Sequence, residues 1–235
     1  MRGSFCGMRR LANILGLIGL LGTTSVAAAQ APAAPVPTLF RLTIVGTAHQ
    51  EWVHTPAPVK NGDCSRTVKS EGIRNARFRT SRAIVVRLSG GRVRAVDLRG
   101  ISGTVTLGGA NTTEEVCPGG TGTAQIADCA QSRRSFGSAR VRLSSPRRGL
   151  VALASIRNLS LTESDCPTEP LEVKTRPLGP VPGPLRLPQA ALMERRVRSI
   201  TLSGSRTQRK TYAAPEAGRL EERAEWTLTF VRVQS

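Results

Sequence analysis

Aromatic side chains are scarce in this chain: two Trp, one Tyr and five Phe among 235 residues. Proteins that hold single-stranded nucleic acid stack its bases on rings set along a basic groove. Here Phe40, Trp52, Phe78, Phe136, Tyr212, Trp226 and Phe230 fall mostly on faces expected to be core, so no nucleic-acid partner is expected. Histidine, the usual acid/base group and metal ligand near neutral pH, is limited to His49 and His54. Their odd separation places them on opposite faces of a strand, and a shared metal or acid/base role requires a bulge at Trp52. No G-x-S-x-G elbow for serine catalysis is present, although a triad assembled from distant residues would leave no local trace. Gly119-Gly120-Thr121-Gly122 has the glycines of a phosphate loop but neither its lysine nor a following helix. The absence of any C-x-x-C pair argues against structural zinc. Glu163, Asp165, Glu169 and Glu172 surround Cys166 and offer carboxylate oxygens, yet their spacing matches no calcium loop. They read as a solvated acidic loop balancing the arginines. These absences point to no cofactor, no metal and no recognisable catalytic class.

Acidic residues are few as well, 16 against 34 Lys and Arg, for a formal net charge of +18. Arg2, Arg9 and Arg10 open an N-terminal segment in which Leu11 to Leu21 is apolar and Val26-Ala27-Ala28-Ala29 supplies small residues. This is the layout of an export signal with its cleavage site. Its apolar core is about half the roughly 20 residues that a spanning helix needs. Residues 1–29 are therefore expected to be cleaved as a signal peptide, leaving no transmembrane anchor and a secreted or cell-envelope protein. Residues 30–38, rich in Ala and Pro, form an extended lead-in, and 39–235 are expected to form a single β domain.

Without the signal, Cys64, Cys117, Cys129 and Cys166 remain, an even number in a chain bound for an oxidising compartment. Two disulfides are expected. Four cysteines allow three pairings. Cys117 and Cys129 bracket the turn-rich segment Pro118 to Gly122, which suggests pairing them with each other and Cys64 with Cys166.

Period-two alternation dominates the remainder. Phe40, Leu42 and Ile44 share one face; so do Ile84, Val86 and Leu88; Ile101, Val105 and Leu107; and Trp226, Leu228 and Phe230. Such alternation marks strands with one face on a core. Ser89-Gly90-Gly91 and Ser145-Pro146-Arg147-Arg148-Gly149 read as hairpin turns. The fold class is all-β, a single antiparallel sandwich or barrel of about 8–10 strands. Residues 167–188 carry seven prolines, each without an N–H, and read as a long surface connection. Gln189 to Arg196 reads as a short helical turn. Leu42 to Thr47 and Ile200 to Ser205 echo one another, a similarity ascribed to chance between two β hairpins over equivalence of the first and last.

The signal, the strand ending near Gly46 and Trp52, Cys64, the Cys117 to Cys129 loop and the closing Trp226-Thr227-Leu228-Thr229 strand together resemble the secreted β-rich proteins of GC-rich actinobacteria. The resemblance implies compartment and fold, and no activity. Arginine supplies almost all the basic charge, a bias that base composition alone can produce. Its clusters at Arg133-Arg134, Arg147-Arg148, and Arg195, Arg196 and Arg198 are nonetheless the candidate sites for an anionic partner, envelope lipids or wall polymers. The expected function is a non-enzymatic envelope module binding anionic or glycan-rich surfaces. The alternatives are a small-ligand carrier in a β-barrel and a hydrolase with a non-contiguous active site around His49 and His54.

Overall fold

The computed structural model describes residues 38–154, 170–194 and 196–233. The expected signal peptide, most of the lead-in, Cys166, Glu163, Asp165, Glu169 and Arg195 lie outside the described residues. The described residues form eleven strands, against the 8–10 expected: β1 (Thr38–Thr55), β2 (Val59–Asn61), β3 (Cys64–Thr80), β4 (Ile84–Ser89), β5 (Arg92–Val93), β6 (Val96–Cys117), β7 (Gly120–Ser144), β8 (Leu150–Ala154), β9 (Leu185–Arg186), β10 (Ser199–Thr211) and β11 (Ala217–Arg232). Two five-residue helices, α1 (Leu171–Thr175) and α2 (Gln189–Met193), interrupt them. All pairings are antiparallel, in the order β10-β11-β1-β3-β6-β7-β8-β9. Where β3 leaves β1, β4 takes over its edge.

The expected choice between a sandwich and a closed barrel is corrected on both counts, because among the described residues one large sheet wraps a single core and no ladder joins β9 to β10. The alternation sets its inner face as expected. Phe40, Leu42, Ile44, Leu98, Ile101, Leu228 and Phe230 are fully buried, and their strand neighbours point outward. The two Gly/Pro punctuation signals are the β4–β5 and β7–β8 turns, with Gly90, Gly91 and Gly149 at positive φ.

The proline-rich connection, expected on the surface, instead crosses the inner face. Pro170, Val173, Pro177, Leu178, Pro180, Pro182 and Leu187 are all buried. An open sheet leaves apolar inner surface that something must cover. A proline-dense segment cannot join a ladder, but its rings pack well on that face. Val173 is inserted into a second cluster with Trp52, Leu107, Tyr212 and Leu220.

The disulfide pairing is also corrected. Antiparallel register sets Ser65 opposite Val116, so Cys64 and Cys117 end facing strands with Cα atoms 4.2 Å apart and are bonded to each other. Cys117 is thus not joined to Cys129. The β6–β7 hairpin turns at once, with Gly120 opposite Cys117, and Cys129 runs back to lie opposite Gly109. That position is eight residues up β6 from Cys117, about 26 Å of strand away.

Candidate functional site

The site is a groove on the outer face of the sheet, and its origin lies in the residues beneath it. In mid-strand the inward positions are small: Ala48 on β1, Ala76 on β3 and Ala224 on β11. Gly179 of the proline-rich connection, a strap over residues 170–188 on the inner face, approaches there in the left-handed conformation (φ 70°), so close that a Cβ would stand 3.0 Å from the methyl groups of Ala48 and Ala224. On the opposite face of the same segments lies a hollow of about 680 Å³. Register explains its lining. One cross-strand row runs Arg223, His49, Asn75, Thr106, Arg133 over β11, β1, β3, β6 and β7; the next runs Glu225, Thr47, Arg77, Thr104. Five strands at about 4.8 Å spacing make the groove roughly 19 Å long.

Its chemistry is that of charge and hydrogen bonding. His49 Nδ1 and Asn75 Oδ1 are hydrogen-bonded at 2.8 Å, which holds the imidazole across two strands. Arg223 donates to Glu225 at 2.7 Å, so the one carboxylate of the lining is engaged. Arg77 and Arg133 are exposed and, among the described residues, make no ion pair like that of Arg223 with Glu225. Among the described residues no Phe, Tyr or Trp lines the groove, so a sugar or base finds only the His49 imidazole, itself hydrogen-bonded to Asn75, to stack on.

His54 is on the inner face, away from His49, in agreement with their odd separation. Its Nε2 is 3.4 Å from Glu216, and its ring is tilted against Tyr212 with centroids 4.3 Å apart. It belongs to a polar network that fastens the strap. Fully buried Gln50 donates to Glu222 at 2.8 Å and to the Arg176 carbonyl at 3.0 Å. Arg176 contacts Glu222 at 2.7 Å and donates to Gln208 at 2.6 Å. Glu172 receives Lys210 at 2.6 Å and the Tyr212 hydroxyl at 3.2 Å. Burial pushes Glu222 above its ordinary carboxylate value despite Gln50 and Arg176. It also pushes Glu172 upward, but the bond from Lys210 and its charge hold that carboxyl below the ordinary range. Burial and the neighbouring Glu172 raise Tyr212.

The arginines singled out from sequence are dispersed. Arg133 lies in the groove, whereas its neighbour Arg134 points to the other face, as adjacent strand residues must. Arg147 and Arg148 occupy the β7–β8 turn, beyond about 35 Å of strand. Arg196 and Arg198 are exposed after α2. Sequence reasoning did not identify Arg77 and Arg223, which match it only as outward positions in alternating strands; their meeting with Arg133 depends on register. Cys64, Glu115 and Cys117 bring metal-capable atoms within 4.8 Å of one another, and two of those atoms form the disulfide. Among the described residues no helix is long and apolar enough to cross a membrane. Comparison with protein-family models, with curated proteins and with solved structures finds no match to this chain.

Proposed function

We propose that the chain is a non-enzymatic, secreted or envelope-associated module that binds anionic polymers of the cell envelope, chains bearing phosphate or carboxylate groups, along the outer groove. The carrying observation is the lining itself: Arg77 and Arg133 are open to a ligand and set among Thr47, Thr104, Thr106, Asn75 and His49, and the one carboxylate is already paired. Guanidinium groups engage phosphate and carboxylate through paired hydrogen bonds. With no Phe, Tyr or Trp in the described lining, neutral glycan faces and nucleic-acid bases have little to rest on, which favours a ligand of repeated negative charge. The disulfide is compatible with an oxidising compartment.

The carrier reading loses its support because Trp52, Trp226 and the aliphatic faces fill the inner side of an open sheet. The hydrolase reading has His49 and His54 on opposite faces. The test is binding of long-chain inorganic polyphosphate to the exported protein, with dextran as the neutral control. Polyphosphate should bind in a salt-sensitive manner and dextran should not. Each lost arginine–phosphate contact is worth at least about 1.5 kcal/mol, so the double variant Arg77→Gln/Arg133→Gln should bind a hundredfold or more weakly. Unchanged affinity in that variant would reject the groove.

A further inference from the structure

A second surface, separate from the groove, occupies the end of the sheet where β1 begins. Its outer face carries aliphatic side chains where water is expected: Val85 is 59%, Val231 44% and Leu39 36% exposed. They alternate with arginines. Arg41 lies between Val231 on one side and Val85 on the other, and Arg87 lies opposite Leu39. The turns at this end add further charge. Gly149 N–H donates to the Gly91 carbonyl, bringing the β7–β8 turn with Arg147 and Arg148 against the β4–β5 turn. Gln189 of α2 packs on Gly91, so Arg196 and Arg198, which follow α2, enter from the same end.

We propose that this end docks on a bilayer surface rich in anionic phospholipid. Exposed aliphatics among arginines fit the headgroup zone, where guanidinium meets phosphate and short apolar side chains reach the acyl boundary. A soluble polyanion would use the arginines but would gain nothing from Val85, Val231 and Leu39. This inference stands on its own observations and does not require the groove to bind polymer.

The test is co-sedimentation of the exported protein with phosphatidylcholine vesicles, with and without phosphatidylglycerol. Binding should require phosphatidylglycerol and weaken with salt. Each arginine near the surface contributes about fivefold, so Arg41→Gln/Arg87→Gln should lower vesicle binding roughly twenty-five-fold. Val85→Ser/Val231→Ser should lower it at high salt, where the apolar contribution dominates. Arg77→Gln/Arg133→Gln should leave vesicle binding intact, which separates failure of this surface from failure of the groove. All these positions are exposed, and a matching thermal midpoint confirms the fold of each variant. Equal binding to neutral vesicles, wild-type binding by Arg41→Gln/Arg87→Gln, or loss of vesicle binding only in the groove variant would overturn the proposal.

Discussion

Gly46 and Gly204 show how single residues set the inner face. Both stand opposite Trp226, one on β1 and one on β10, so the buried indole has a glycine on either side. This gives the sequence echo between Leu42–Thr47 and Ile200–Ser205 a physical content that its reading as chance missed: both segments flank β11 at the same level. A Cβ on Gly46 would collide with the Phe78 ring, which itself lies 4.4 Å from Trp226 between centroids. Gly46→Ala should therefore destabilise the protein by about 1–3 kcal/mol through overpacking. Urea denaturation measures it, and an unchanged midpoint would mean that Phe78 moves aside freely. The need for small residues is invisible in the sequence because it arises from two neighbouring strands.

At the scale of elements, the strap decides the architecture. Its prolines read locally as loop, which is correct for the backbone and wrong for the location, because the apolar surface it covers belongs to strands distant in sequence. It is fastened by Arg176 and Gln50 on Glu222 and by Glu172 on Lys210 and Tyr212. Since Glu222 is raised, the folded state holds its proton more tightly than the unfolded chain does. The stability that this contributes is present below the ordinary carboxylate value and is lost as pH rises through the raised one. Glu172 is lowered and has the opposite sense: its contribution is present above the ordinary value and is lost as pH falls through the lowered one. Glu222→Gln removes only the first, so its thermal midpoint relative to wild type should rise between pH 4 and pH 8. Melts across that range test it; a variant that loses most at the alkaline end would show that attraction to Arg176 outweighs burial.

For the whole molecule, one cross-link and one asymmetry of charge matter most. The Cys64–Cys117 bond closes a separation of 53 residues over β3 and β6, the centre of the ladder. On the chain-entropy account a loop of that size contributes about 4 kcal/mol. Cys64→Ser should then lower the melting temperature by roughly 10 °C, and equal melting of oxidised parent and variant would refute that contribution. The charge is divided between a mid-sheet groove and the β1 end, a division that the linear clusters did not show. Of the six described arginines among those chosen from sequence, Arg133 alone reaches the groove, because adjacency in a strand separates residues by face while register unites residues far apart.

The alternating runs at Phe40–Ile44, Ile84–Leu88, Ile101–Leu107 and Trp226–Phe230, their inward faces and the β4–β5 and β7–β8 turns are properties of the sequence by itself, since each depends on local chemistry and a period of two that holds whatever the strand pairs with, whereas the stretch from Gly120 to Cys129, read as a loop, is part of β7. The open curl of the sheet, the buried strap, the partner of Cys117 and the groove of Arg77, Arg133 and Arg223 were decided by tertiary structure. Each depends on which strands pair, and on a register set jointly by bulges, tight glycines and the demand that an open sheet bury its apolar face.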